Sequence, residues 1–246
     1  DVATEGPFSK KKKGASYVAN YRYSTLGILS ALGFEVVAPN VSNTFQDLSF
    51  NLSFPVSERS EITVFGLGGL SSEQKGIEED PADRKEFQDT RYYDYKTNVG
   101  VLGVTHRWKM GDRSTLYSVL SLSANEIKWL EDTIGRDEIT YQVKDEYFMY
   151  GKLTLSTEWN RKFSAGFRSR IGVQLSNEFH EVYSKIGDPD QNFQFYRIKG
   201  KNQPWLIQPY LSFNQKLGAR WTLNYGLHAS LLQSANLLPE SDDISF

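Results

Sequence analysis

The chain has 246 residues, 28 Lys+Arg against 30 Asp+Glu, 3 His and no Cys, with 39% hydrophobic residues and 14% aromatics. That length suits one large all-β domain or two ordinary ones, and a net charge of -2 argues against nucleic acid as a partner. The lack of Cys excludes a disulfide framework, a thiolate zinc site and an iron–sulfur cluster, and no run of about 18 apolar residues is present for a helical membrane span. The opening Asp1-Val2-Ala3-Thr4 is not a signal peptide, as expected of a mature, truncated or soluble intracellular start.

Along the chain, Lys10 to Lys13 precede the first strand and read as a solvated turn rather than a lipid or nucleic-acid patch. The first strand is expected over Tyr17 to Tyr23. Ser24 to Gly33 follows with a Ser cap, an apolar stripe and a closing Gly, the pattern of a short helix docked on a rim or on another domain. Strict alternation then dominates. Leu48, Phe50, Leu52 and Phe54 interleave with Asp47, Ser49, Asn51 and Ser53, and weaker versions run through Ile62 to Leu70, Asn98 to Trp108 and Leu116 to Asn125. Leu153 and Leu155 alternate with Lys152, Thr154 and Ser156. Phe163 to Ser176, Ile207 to Asn214 and Trp221 to Leu231 complete about nine strands, several of which reach the about nine to eleven tilted residues that span the hydrocarbon layer.

The connections alternate in kind. Short polar turns are expected at Pro55 to Ser60, Gly111 to Ser114, Asn160 to Lys162 and Gly218 to Arg220, and long loops at Ser24 to Thr44, Ser71 to Tyr92, Glu126 to Glu146 and Glu178 to Pro204. An antiparallel meander with tight turns at one end and long loops at the other fits an outer-membrane barrel. Trp108, Trp159, Trp221 and Phe163 near the short turns, and Trp205, Tyr92 and Tyr93 at the opposite ends, fit two aromatic girdles. A soluble sandwich shares the alternation, with the greasy face turned inward; strand length and loop asymmetry favour the barrel.

Catalytic signatures are lacking. Gly66-Leu67-Gly68-Gly69 leads into a charged loop rather than a helix, so it cradles no phosphate and reads as small wall residues that leave room in a lumen. His106, His180 and His228 have no metal-ligand spacing, and no Ser is marked as a nucleophile beside them. Glu78 to Asp83 and Asp188 to Asp190 lack EF-hand spacing and read as solvated loop tips. The reading is therefore non-enzymatic, with no metal and no cofactor.

Several segments resemble the barrel of TonB-dependent outer-membrane receptors, in particular the subgroup with a carboxypeptidase-regulatory-like N-terminal domain. They are Gly6 to Lys10 leading to Tyr17-Val18-Ala19-Asn20-Tyr21-Arg22-Tyr23-Ser24-Thr25-Leu26, then Phe45 to Phe50 and Val64 to Ser71, with looser likeness at Thr105 to Trp108 and Tyr225 to His228. The resemblance implies a barrel of about 22 strands closed by an internal plug, in the outer membrane of a Gram-negative bacterium, importing a bulky nutrient with energy delivered by TonB. The chain carries no plug, no TonB box and no regulatory-like domain. It is expected to be part of a larger receptor, interrupted in a long loop at Pro239 to Phe246. An odd strand count would leave two bare edges.

The fold expected is thus an all-β antiparallel transmembrane barrel meander over residues 1-246, about nine strands of a larger barrel. Asn20, Arg22, Asp47, Asn51, Arg168, Arg170, Gln174, Gln208, Asn224 and His228 are expected to face the lumen or plug. Implied partners are outer-membrane lipid, the plug and remaining barrel strands, TonB through a missing N-terminal segment, and a surface lipoprotein or other complex subunits. The alternatives are a small self-contained outer-membrane barrel or adhesin that binds through its loops, and a soluble carbohydrate-binding sandwich.

Overall fold

The computed structural model describes residues 1–8, 14–24, 26, 28–29, 32–34, 40–188 and 194–234. Among them the chain folds as one antiparallel sheet of twelve strands. These are β1 (Val2–Pro7), β2 (Ser16–Tyr23), β3 (Val41–Ser57), β4 (Ser60–Lys75), β5 (Arg91–Gly111), β6 (Ser114–Ile134), β7 (Thr140–Ser164), β8 (Phe167–Asp188), β9 (Gln194–Asn202), β10 (Trp205–Leu217), β11 (Trp221–His228) and β12 (Leu231–Gln233). The order is a meander, β1 to β8 each beside its neighbour in sequence and then β10 and β11, with β9 beside β8 and β12 beside β10, and the path does not close on itself.

The twelve strands occupy ten positions. β9 lies along the far half of β8, from Asp188↔Gln194 to His180↔Asn202, and β10 along the near half, from Asn177↔Trp205 to Phe167↔Gln215. The break between them falls at Gln203-Pro204, because proline has no N–H to give the ladder. The Pro204 carbonyl still accepts from Glu178 N–H at 3.0 Å and from the Asn177 side-chain amide at 3.3 Å. Likewise β11 and β12 both pair with β10 and are split only by Ala229-Ser230. The count is thus even, not the expected nine; the strand missed by alternation is β1, whose Val-Ala-Thr-Glu-Gly-Pro has no repeating apolar position.

The connections correct the sequence reading further. The turn expected at Asn160 to Lys162 lies at Ala165-Gly166, and residues 160–162 are still strand. The loops expected at 126–146 and 178–204 are mostly strand: β6 runs to Ile134, β7 begins at Thr140, and β8 runs to Asp188. Glu178 to Pro204 also contains residues 189–193, which lie outside the described residues, as do Lys10 to Lys13 and Pro239 to Phe246. Of the expected helix over 24–33, residues 25, 27, 30 and 31 lie outside them too; the described part includes a Leu32 N–H to Ile28 carbonyl bond of 3.1 Å. Ser71 to Tyr92 does contain a real loop, with two 3-10 turns at Pro81–Asp83 and Phe87–Thr90.

Cross-strand register sorts the side chains into two faces. Leu48 opposes Gly68, Gly68 opposes Gly100, Gly100 opposes Ala124, Ala124 opposes Gly151, and Gly151 opposes Phe179. All lie on one face, since directly opposed residues share a side of the pleat. The same face carries Leu102, Val104, Leu120, Leu122, Leu153, Leu155, Ile171, Val173 and Leu175. Glycines on the sheet are covered by rings from across the strand: Phe50 over Gly66, Phe65 over Gly103, Phe179 over Gly151 and Tyr210 over Gly172, each directly opposed in register. A bare glycine exposes backbone and weakens a strand, and the ring restores the packing.

Among the described residues no second layer covers the apolar face. No described apolar side chain is buried; Leu102 is 54% exposed, Leu120 50% and Ile171 45%. The accessible surface is 17256 Å², against roughly 11,000 Å² for a compact monomer of this length.

Candidate functional site

The face opposite the leucines is polar. It takes its side chains from the alternate residues of the same strands, so the pattern that makes one face greasy makes the other wet. All ten residues singled out in the sequence lie on it. Arg22 and Asp47 are directly opposed and paired, Nε to Oδ2 at 2.7 Å. Asn20 opposes Ser49 and Asn51 opposes Val18. Gln174 opposes Gln208, whose amide donates to Ser230 at 3.2 Å, and His228 opposes Tyr210. Asn224 accepts from the Asn214 amide at 2.6 Å, while Arg168 opposes Asn214 and Arg170 opposes Ser212.

The face does not gather these residues in one place. Asn20, Arg22, Asp47 and Asn51 belong to β2 and β3, while Arg168, Arg170, Gln174, Gln208, Asn224 and His228 belong to β8, β10 and β11. Between the groups run opposed ion pairs the sequence reading missed, Glu61 with Arg107 at 2.6 Å and Lys152 with Glu178 at 3.1 Å. Each stands on the parity that the alternation assigns to the polar face, so extending the period along β4, β5, β7 and β8 finds them.

Around Arg168 and Arg170 the sheet forms a concavity of about 790 Å³, whose lining includes Asn160, Lys162, Ser212 and Asn214. Asn160 and Lys162 escaped the sequence reading because they had been assigned to a turn. Nearby, both oxygens of Glu158 are taken: Tyr210 Oη donates to Oε2 at 2.7 Å and Asn160 Nδ2 to Oε1 at 2.6 Å.

On β5 to β8 the polarity of the two faces exchanges partway along. From the short turns, the leucine face is mainly apolar for about nine residues per strand, Trp108 to Gly100 and Leu116 to Ala124, then Trp159 to Gly151 and Ile171 to Phe179, close to what tilted strands need to cross hydrocarbon. It is interrupted by the row His106, Ser118 and Thr157, in which His106 bonds to Ser60 and Thr157 to Ser118, and by Asn177. The next row on that face is Asn98, Glu126, Met149 and Glu181, and the one beyond is Lys96, Lys128, Tyr147 and Tyr183. Lys96 pairs with Asp94, Lys128 with Glu126, and Lys201 with Glu181. Over the same stretch the other face turns aromatic and aliphatic, with Tyr95, Trp129, Phe148, Tyr150 and Val182. Tyr95 packs edge-on against Trp129 at 5.5 Å, and Lys144 Nζ lies 3.6 Å from the Trp129 ring centre.

No protein-family model matches the chain, and no curated protein matches it in sequence.

The girdle residues divide accordingly. Trp108, Leu116 and Trp159 share one row of the leucine face at the short-turn end, and Trp221 is on that face beside the β10–β11 turn. Trp205 sits on the same face near the other margin of the apolar band, with Tyr21 opposite Leu48. Tyr92 and Tyr93 do not: they are farther along β5, and Tyr93 is on the opposite face, where its hydroxyl donates to Glu73 at 2.7 Å. Burial there, together with that bond, pushes the Tyr93 hydroxyl up to about 12. Gly66 and Gly68 also depart from expectation. They lie on the leucine face rather than on the polar one, and with Gly100 and Ala124 they floor an apolar groove of about 580 Å³.

Among the described residues no helix is long and apolar enough to cross a membrane, and no group of three or more His, Asp or Glu is placed to hold a metal ion.

Proposed function

We propose that this chain is part of the wall of an outer-membrane β-barrel, of the TonB-dependent receptor class that its first four strands resemble, and that the complete barrel takes up a bulky nutrient in a Gram-negative bacterium. The observation that carries the reading is the uncovered leucine face with its band of about nine residues per strand, the height of the lipid-facing surface of such barrels. The charged rows beyond Gly100, Ala124 and Gly151 then stand in water above the outer leaflet. The short turns face the periplasm. The polar face lines the lumen, where its side chains meet the plug or the passing substrate. Both margins of the sheet, β1 on one side and β9, β11 and β12 on the other, lack a second neighbour among the described residues, and bare edges in lipid are untenable. Further strands therefore complete the wall to about 22.

The absence of native Cys makes the test direct. Single cysteines along β6 at positions 118 to 130, carrying a nitroxide in lipid vesicles, are expected to show oxygen access at Leu120 and Leu122, and access to a water-soluble nickel chelate at Ser121 and at Lys128. Uniform water access at 120, 122 and 128 would overturn the reading.

A smaller self-contained barrel that binds a partner through its outer end draws support from the aromatic cluster of Tyr95, Trp129, Phe148 and Tyr150 beyond the band. A disulfide formed between cysteines placed at Ala3 and Asn224 would report closure of this sheet on itself and favour that version.

A further inference from the structure

On the polar face, three cations stand directly across from carboxylates. Arg22 opposes Asp47, Arg107 opposes Glu61 and Lys152 opposes Glu178. Beside the short turns of β7, β8 and β10 no such pairing occurs. Lys162 is directly opposed to Arg168, and Arg170 to Asn160 on one side and Ser212 on the other. Like charges facing each other across a strand pair are destabilising unless something negative lies between them. Among the described residues no carboxylate is within ion-pair distance of Lys162, Arg168 or Arg170. Glu158, which could have supplied one, is held by Tyr210 and Asn160 instead. The sheet is concave at this point, and the only carboxylate lining the hollow is Asp112, in the β5–β6 turn.

We propose that this concavity is an oxyanion-binding site, in which Lys162, Arg168 and Arg170, with the amides of Asn160 and Asn214 and the Ser212 hydroxyl, hold a ligand bearing more than one phosphate or carboxylate group. The two guanidinium groups are planar forks that grip an oxyanion through paired N–H bonds. Lys162 adds a point charge, and the amides and hydroxyl supply neutral donors around it. The volume of about 790 Å³ exceeds what one inorganic phosphate needs and is in the range of small-molecule pockets. The site goes beyond the wall reading and does not need lipid, since it uses only the polar face.

Equilibrium dialysis of the full chain in detergent micelles, at constant ionic strength, with pyrophosphate in one arm and citrate in the other, tests it. Saturable binding of either is expected; tighter pyrophosphate assigns phosphate as the natural group and tighter citrate assigns carboxylate. The Arg168→Gln/Arg170→Gln double variant is expected to weaken binding by at least about tenfold, since the charge-assisted bonds of both guanidinium groups are lost. Arg168→Lys/Arg170→Lys is expected to keep part of it, and Lys128→Gln, on the opposite face beyond the apolar band, to change nothing. In the otherwise native chain, a Thr115→Cys reporter in the same hollow is expected to react more slowly with maleimide when pyrophosphate is present, which removes dependence on how the arginine variants fold. No saturable binding of either probe, or an equal loss in Lys128→Gln, overturns the proposal.

Discussion

Gly151 lies directly across from Phe179, and the ring occupies the space a side chain would need: a Cβ placed on Gly151 would sit 1.8 Å from it. The pairing was invisible in the sequence, where a lone glycine and a phenylalanine 28 positions later carry no shared signal. Individual residues are easier to judge where the period is strict. Leu120 is in the middle of the apolar band, opposite Val104 on one side and Leu155 on the other, while its neighbour Ser121 points to the polar face. Leu120→Arg is expected to cost about 2–4 kcal/mol in lipid, as a charge at the midplane does, and Ser121→Arg about 0–1 kcal/mol. Reversible urea unfolding in vesicles measures both, and equal costs would remove the case for lipid on the leucine side. All ten polar-face residues could be read from the sequence for the same reason: parity alone assigns a face once the strand is known. Which of them stand near one another could not be read, because that depends on which strands are neighbours.

The strands β5 to β8 hold one unbroken register across a reversal of polarity, and this is where the sequence reading stopped short. Past Asn98 the leucine-face positions become Lys, Asp and Glu and the opposite ones Tyr, Trp and Phe, so the apolar/polar alternation reverses sign and a search for a greasy face of constant parity ends at the band. The remaining lengths were therefore assigned to loops. The β4–β5 connection at that end is built by local bonds rather than by period. The Asp89 carboxylate accepts from the backbone N–H groups of Glu86 and Lys85, and these bonds, with Glu86 first, hold it below the usual carboxylate range. A carboxylate held low in the folded chain supports its loop above the ordinary Asp value, about 3.9, and that support is lost as pH falls through the lower folded value. Amide exchange at Lys85 and Glu86 is accordingly expected to stay slow at neutral pH and to accelerate, relative to the intrinsic rate, below about pH 4. In Asp89→Ala it is expected to be fast at every pH; unchanged protection in that variant would mean the carboxylate does not hold the turn. Arg84 ties the same loop outward, donating to Glu138 Oε2 at 2.7 Å on the β6–β7 turn and to the Glu78 carbonyl at 2.8 Å.

At the scale of the whole molecule the composition takes on a definite meaning: 39% hydrophobic residues with 14% aromatics are spread over a single layer in which no described apolar side chain is buried. Such a sheet has no core of its own and depends on what its leucine face touches. Refolded chain is expected to float with lipid vesicles in a density gradient and to aggregate when detergent is removed without lipid. A monodisperse, detergent-free species would show that the leucine face is covered by protein and would exclude the membrane wall. The meander also bears on how such a chain assembles. Every strand pairs with a strand adjacent in the sequence or with one separated from it by a single interruption, so no contact waits on a distant segment and loop-closure entropy is met in small instalments. The sheet can therefore grow hairpin by hairpin, the last strand laid down serving as template for the next. Each opposed glycine and aromatic works as a registration mark, checking alignment before the following hairpin is added.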